Sequence, residues 1–154
     1  MNVNDEKEFY ELLRNLSRGM KKHGVRKIIK ALKQINLDSE NEVNFAIIDF
    51  VEKSVCSKIG VPRDELFNFA SRGEITIARK FCILLIRKYA KNISDEELGG
   101  HYNRSRQVVF NSEKEFRTLK SGKKNKFHTD FIEIYNDLDD ETAVYVKTLK
   151  ISDK

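Results

Sequence analysis

The chain has 154 residues, 40% of them hydrophobic and 34% charged, with a formal net charge of +5, one Pro and seven Gly. That is enough apolar material for one domain core, and it excludes an intrinsically disordered chain. No apolar run approaches the roughly 20 residues of a transmembrane helix, the scarcity of turn-forming residues disfavours a β-sandwich, and the acidic, polar opening MNVNDEKEFY is unlike a secretory leader.

In chain order, period 3.6 dominates. Phe9, Leu12, Leu13, Leu16 and Met20 form one apolar stripe, stopped at Gly24. Val25, Ile28, Ile29, Leu32 and Ile35 form a second, with Arg26, Lys30 and Lys33 aligned on its other side. The two are expected to make a short antiparallel hairpin. LDSENE carries the cap residues Asp38 and Ser39 and is expected to be a break. A third helix then follows from Val43, Ala46, Ile47, Phe50, Val51, Val55 and Ile59, closed by Gly60. Pro62 suits a first helical turn, and SRGE reads as a basic turn holding Arg72.

The next segment, Ile75 to about Lys91, is apolar nearly all round, as a central helix is. Ser94 and Glu97 make a capping box that opens a short helix expected to end at Gly99-Gly100. From Arg104 to about Lys120 another helix is expected, with Val109, Ser112, Phe116 and Leu119 on its buried side. SGKKNK is a basic loop, and Phe127, Phe131, Ile134, Tyr135 and Leu138 begin a last amphipathic helix. The tail ETAVYVKTLKI fits helix or strand. The fold class expected is therefore all-α. It is a helical bundle with an N-terminal hairpin over 1–37, a central domain over 38–120 and a C-terminal helical extension over 121–154.

Charge is segregated along the chain. Residues 1–37 hold nine basic and four acidic side chains, 100–126 eight and two, and 127–154 three and seven. Such segregation is an electrostatic footprint for a polyanion. Cys56 and Cys82 lie in helical patterns without C-x-x-C, and the three His are scattered. Buried thiols in a reducing compartment are expected, with no metal site and no cofactor.

The stretch LGGHYNRSRQVVFNSEKEF carries the functional expectation. A short capped helix, a tight turn and a longer helix form the helix-turn-helix arrangement, whose second helix enters the DNA major groove. If Val109, Ser112 and Phe116 face inward, then Arg104, Gln107, Asn111 and Lys114 face out. Arg suits guanine, Gln and Asn suit adenine, and Lys suits phosphate or guanine. The carboxylates of SDEE and NDLDDE sit at caps and on solvated faces, and no nucleophile-base pair or metal spacing stands out, so the chain is not expected to be an enzyme.

Three segments carry a family resemblance. SKIGVPRDEL, SRGEITIARKFCILLIRKYAKNIS and ISDEELGGHYNRSRQVVFNSEKEF resemble, in order, the C-terminal DNA-binding domain of the bacterial replication initiator DnaA. The resemblance covers about Glu42 to Leu119. The family signature Arg-Asp-His-Thr/Ser-Thr-Val falls on Arg104-Ser105-Arg106-Gln107-Val108-Val109, where only the leading Arg and the final Val are kept. The scaffold thus resembles the initiator while the readout differs, so the initiator's usual box is not the expected target. The helical phase and the resemblance together give expected base contacts from Arg104, Arg106, Gln107, Val108 and Asn111. Backbone or minor-groove contacts are expected from Arg72, Ser105, Lys114, Lys120, Lys123, Lys124 and Lys126. No Gly-x-x-x-x-Gly-Lys-Ser/Thr occurs, so the initiator's ATPase portion has no counterpart.

The chain is accordingly expected to bind double-stranded DNA in replication or transcription control of a bacterium, phage or mobile element. Its expected place is cytoplasmic and nucleoid-associated, or the virion if phage-encoded, with no membrane partner. The alternative is a repurposed domain serving as an interaction or structural component of a larger assembly, docking proteins through residues 1–37 and the acidic C-terminal segment.

Overall fold

A computed structural model describes residues 3–69, 73–122 and 125–152, with the side chains of 3–6, 33–39 and 151–152 left aside. All regular structure among them is helical: α1 (Val3–His23), α2 (Val25–Ile59), a 3-10 helix (Arg63–Phe67), α3 (Gly73–Tyr89), α4 (Asp95–His101), α5 (Arg106–Ser121) and α6 (Lys126–Ser152). The chain forms two compact units, Met1–Glu42 and Val43–Lys154.

In the first unit, α1 ends where Gly24 takes a left-handed φ of 81°. Gly19 lies against Ile28, whose Cδ1 would sit 3.1 Å from any added Cβ. Among the described side chains the apolar stripes do not close into a core. Phe9, Leu12, Leu13 and Met20 of α1, and Val25, Ile29 and Leu32 of α2, are all exposed.

The expected break at LDSENE does not occur, because α2 runs through it to Ile59. Between Val25 and Ile59 there is neither Gly nor Pro, so no residue removes a backbone hydrogen bond, and cap-forming side chains alone do not end a helix. The true stop is Gly60, at φ 80°.

The second unit is built around α3, nine of whose residues are buried, among them Phe81, Cys82, Ile83, Leu85 and Ile86. Around it gather Ile47, Val51 and Val55 of α2, Leu66, Leu98, Tyr102, Val109, and Phe131, Tyr135, Leu138 and Val146 of α6. Aromatic rings join the layers: Phe81 meets Phe131 at 4.4 Å, Phe116 meets Tyr135 at 4.3 Å, and Phe50 stacks on Tyr145 at 4.0 Å. The ambiguous tail is helical, since α6 continues unbroken to Ser152. Two of its acidic residues are engaged within the unit: Asp137 pairs with Lys58 at 3.1 Å, and Asp139 with Lys88 at 2.5 Å and the Tyr89 hydroxyl at 2.7 Å.

Candidate nucleic-acid interface

α4 begins as its sequence dictates. Glu97 N donates to Ser94 Oγ at 3.1 Å, and Ser94 N donates to the Glu97 carboxylate at 2.8 Å. It ends later than expected. Gly99 and Gly100 lie within the helix, which reaches His101, and the turn is Tyr102 to Ser105. Asn103 takes the left-handed position at φ 53°, which Asn tolerates better than most side chains. Gly99 has a different task. An added Cβ there would sit 2.8 Å from Ser105 O and 3.0 Å from Arg104 O, so its missing side chain lets the start of α5 approach α4. Gly100 meets nothing.

Two side chains fasten this turn to the 3-10 helix and the loop after it, and a third holds that loop to α3. Asn103 Nδ2 donates to Phe67 O at 3.0 Å. Arg104 Nη2 donates to Asn68 O and Phe69 O, both at 2.8 Å, and its guanidinium lies 5.1 Å from the Phe69 ring centre. From the core side, buried Arg79 donates to Leu66 O at 2.8 Å and to Asn68 O at 3.2 Å. Arg104 is thus half-buried and already engaged with backbone carbonyls.

Beneath the turn lies a network that sequence reading missed. Glu52 of α2 is fully buried. Arg63 grips it through Nε at 2.9 Å and Nη2 at 2.6 Å, and extends Nη1 to Asp49 at 2.6 Å. His101 Nε2 lies 2.7 Å from its other oxygen, to which the Tyr102 hydroxyl donates at 3.0 Å. Burial pushes the Glu52 carboxyl up, but the hydrogen bonds from His101 and Arg63 outweigh it and hold the group below its ordinary value. Glu52 therefore stays ionised and ties α2, the 3-10 helix and the end of α4 together.

On α5, Val109 and Ser112 are buried as expected, and Phe116 and Leu119 pack against the core. Outward, Arg106, Gln107, Asn111 and Lys114 are exposed, and Gln107 Nε2 donates to Asn111 Oδ1 at 3.0 Å. Phe110 is exposed beside them. Ser105 is the N-cap of α5 with no side-chain cap bond, so its hydroxyl does not close the helix end. The structure does not bring every expected residue to this face. Val108 is half-buried against the core. Lys120 projects towards α6, its ammonium 4.7 Å from the Phe116 ring centre and 5.8 Å from that of Tyr135. Lys126 is exposed at the start of α6. Arg72, Lys123 and Lys124 lie outside the described residues.

Among the described residues no group of His, Cys, Asp and Glu is disposed to hold a metal ion, and no helix is long and apolar enough to cross a membrane. Comparison of the chain with protein-family models, curated proteins and solved structures gave no match.

Proposed function

We propose that α4, the Tyr102–Ser105 turn and α5 form a helix-turn-helix that binds double-stranded DNA, with α5 as the reading helix. The observation that carries this is the exposed face Arg106, Gln107, Asn111 and Lys114, which follows directly after the fastened turn. Gln and Asn present the paired donor and acceptor that match adenine N6 and N7, and Arg matches guanine O6 and N7. The open N-terminus of α5 adds backbone N–H groups that favour a phosphate. The resemblance to the DnaA DNA-binding domain supports the same reading, in replication or transcription control and without an ATPase.

The roles within the site follow the contacts. Arg106, Gln107 and Asn111 read bases, while Ser105, Lys114 and Lys126 touch phosphates. Arg104, held by Asn68 O and Phe69 O, positions the loop and the turn together. Binding of the purified chain to a randomised duplex pool over a range of salt tests the proposal. Selection of a preferred sequence, with affinity falling as salt rises, supports it. Absence of any salt-dependent binding overturns it. The second reading, a domain turned to protein interaction in a larger assembly, is favoured by one observation, the exposed apolar stripe of α1.

A further inference from the structure

We infer that the cleft between α3, α5 and the start of α6 binds a small aromatic carboxylate. The cleft encloses about 550 Å³, within the range of roughly 300–1,000 Å³ found for small-molecule sites. Three elements of one compact unit build its walls. Ile77 and Leu84 come from α3, Phe116 and Leu119 from α5, and Phe127 and Phe131 from α6. One turn of a peptide helix, about 10–12 Å across and about 5.4 Å long, would take about 500 Å³. The cleft therefore has room for a compact molecule and not for a helix of a protein partner.

The rings of the lining set the body of that molecule. The ring centre of Phe131 lies 6.4 Å from those of Phe116 and Phe127, with the planes inclined at 50° and 44°. A flat aromatic body among them meets ring edges and faces at the separations of roughly 4.5–7 Å that such pairs prefer. Phe127 is 57% exposed, and an occupant would cover it. The charges of the lining set the head. Lys80 pairs with Glu115, so these two cancel. Lys114 also lines the cleft, and among the described residues no carboxylate pairs with its ammonium. Glu115 is the one acid among the described lining residues, so two Lys and one Glu leave a single positive charge, and His128 adds to it only when protonated. One carboxylate balances that charge. The cleft is on the side of α5 turned to α3 and α6, so the inference does not depend on α5 binding DNA. Lys114 borders both faces, so an anion held there would draw its charge away from a phosphate.

The test is a proton–nitrogen correlation NMR titration of the full chain, without nucleic acid, with naphthoate. Naphthylmethanol, which has the same rings and no charge, is titrated beside it. The expected result is saturable naphthoate shifts confined to the three lining segments, with Kd below about 1 mM, and weaker binding of the alcohol. K114Q should weaken naphthoate about threefold at low salt and leave the alcohol unchanged. Thr118 is exposed at the edge of the cleft, so T118W sets an indole over the mouth and should abolish binding of both. Lys114 and Thr118 are both exposed, and the spectrum itself reports whether each variant is folded. An aromatic probe that merely seeks exposed apolar surface would instead shift the stripe of α1. Shifts that do not saturate, or that appear in α1 rather than in the cleft, overturn the inference. So does a T118W variant that binds as tightly as wild type, or a K114Q variant that treats naphthoate and the alcohol alike.

Discussion

Glu52 shows how much a single side chain carries. It accepts from Arg63, His101 and Tyr102 while fully buried. Glu52→Gln keeps the volume but removes the charge that strengthens those bonds. It should lower stability by about 2–3 kcal/mol, read from the urea midpoint. The same residue predicts a pH response. Its folded carboxyl lies below the ordinary value of 4.5, so its contribution is fully present above that value and is lost as pH falls through the folded one. Urea midpoints of the wild type should therefore drop in acid. The Glu52→Gln variant should lack that part of the fall, and equal slopes for both proteins would contradict the account. The cysteines give a second residue-scale prediction. Burial pushes the thiols of both Cys82 and Cys56 up, and both are buried. Iodoacetamide should modify them only after unfolding, and fast labelling of the native chain would show that the core opens.

At the scale of elements, the junction of α4 and α5 depends on one missing methyl group. Gly99→Ala places a Cβ against backbone atoms of Arg104 and Ser105, which cannot swing aside as a flexible side chain does. It should cost about 1–3 kcal/mol. Gly100→Ala, in open space within the same helix, should be neutral or stabilise by up to about 1 kcal/mol. Thermal melts of the two variants check the pair, and equal effects would mean that the close approach is not what Gly99 provides. Residues 98 to 105 announce a short capped helix and a turn, but they do not announce which residue turns. Glycine serves both positive φ and close backbone approach, and the two look alike in a sequence. Here Asn103 takes the first task and Gly99 the second. The expected break at LDSENE fails for a related reason. Cap residues mark where a helix can start, yet α2 continues because nothing there prevents it.

For the molecule as a whole, the proposed DNA contact makes an ionic prediction. Each phosphate contact contributes about 0.9 to the slope of log affinity against log salt. Neutralising Lys123, Lys124 and Lys126 should weaken binding to every duplex alike and flatten that slope by roughly two to three units. Lys120, drawn over Phe116 and Tyr135, should contribute less than any of the three when neutralised alone. Gln107→Ala should instead relax preference at one base pair, at a cost of about 1–3 kcal/mol. A variant that lost affinity uniformly would assign Gln107 to the backbone rather than to a base.

The sequence by itself determined the helical class, the apolar stripe of α1, the all-round apolarity of α3, the capping box of Ser94 and Glu97, and the outward phase of Gln107 and Asn111. All of these rest on interactions within one or two helical turns, where spacing along the chain is spacing in space. Tertiary structure decided the rest. Glu52 meets Arg63, His101 and Tyr102 across separations of 11, 49 and 50 residues, so nothing local distinguishes it from a solvated glutamate. Arg104 reads along the chain as the first base contact of the helix. In the fold its guanidinium also donates to the carbonyls of Asn68 and Phe69, 36 and 35 residues earlier, an engagement no local pattern announces. A side chain's chemistry can be read from its letter, but whether that chemistry is already engaged depends on which distant backbone the fold brings beside it.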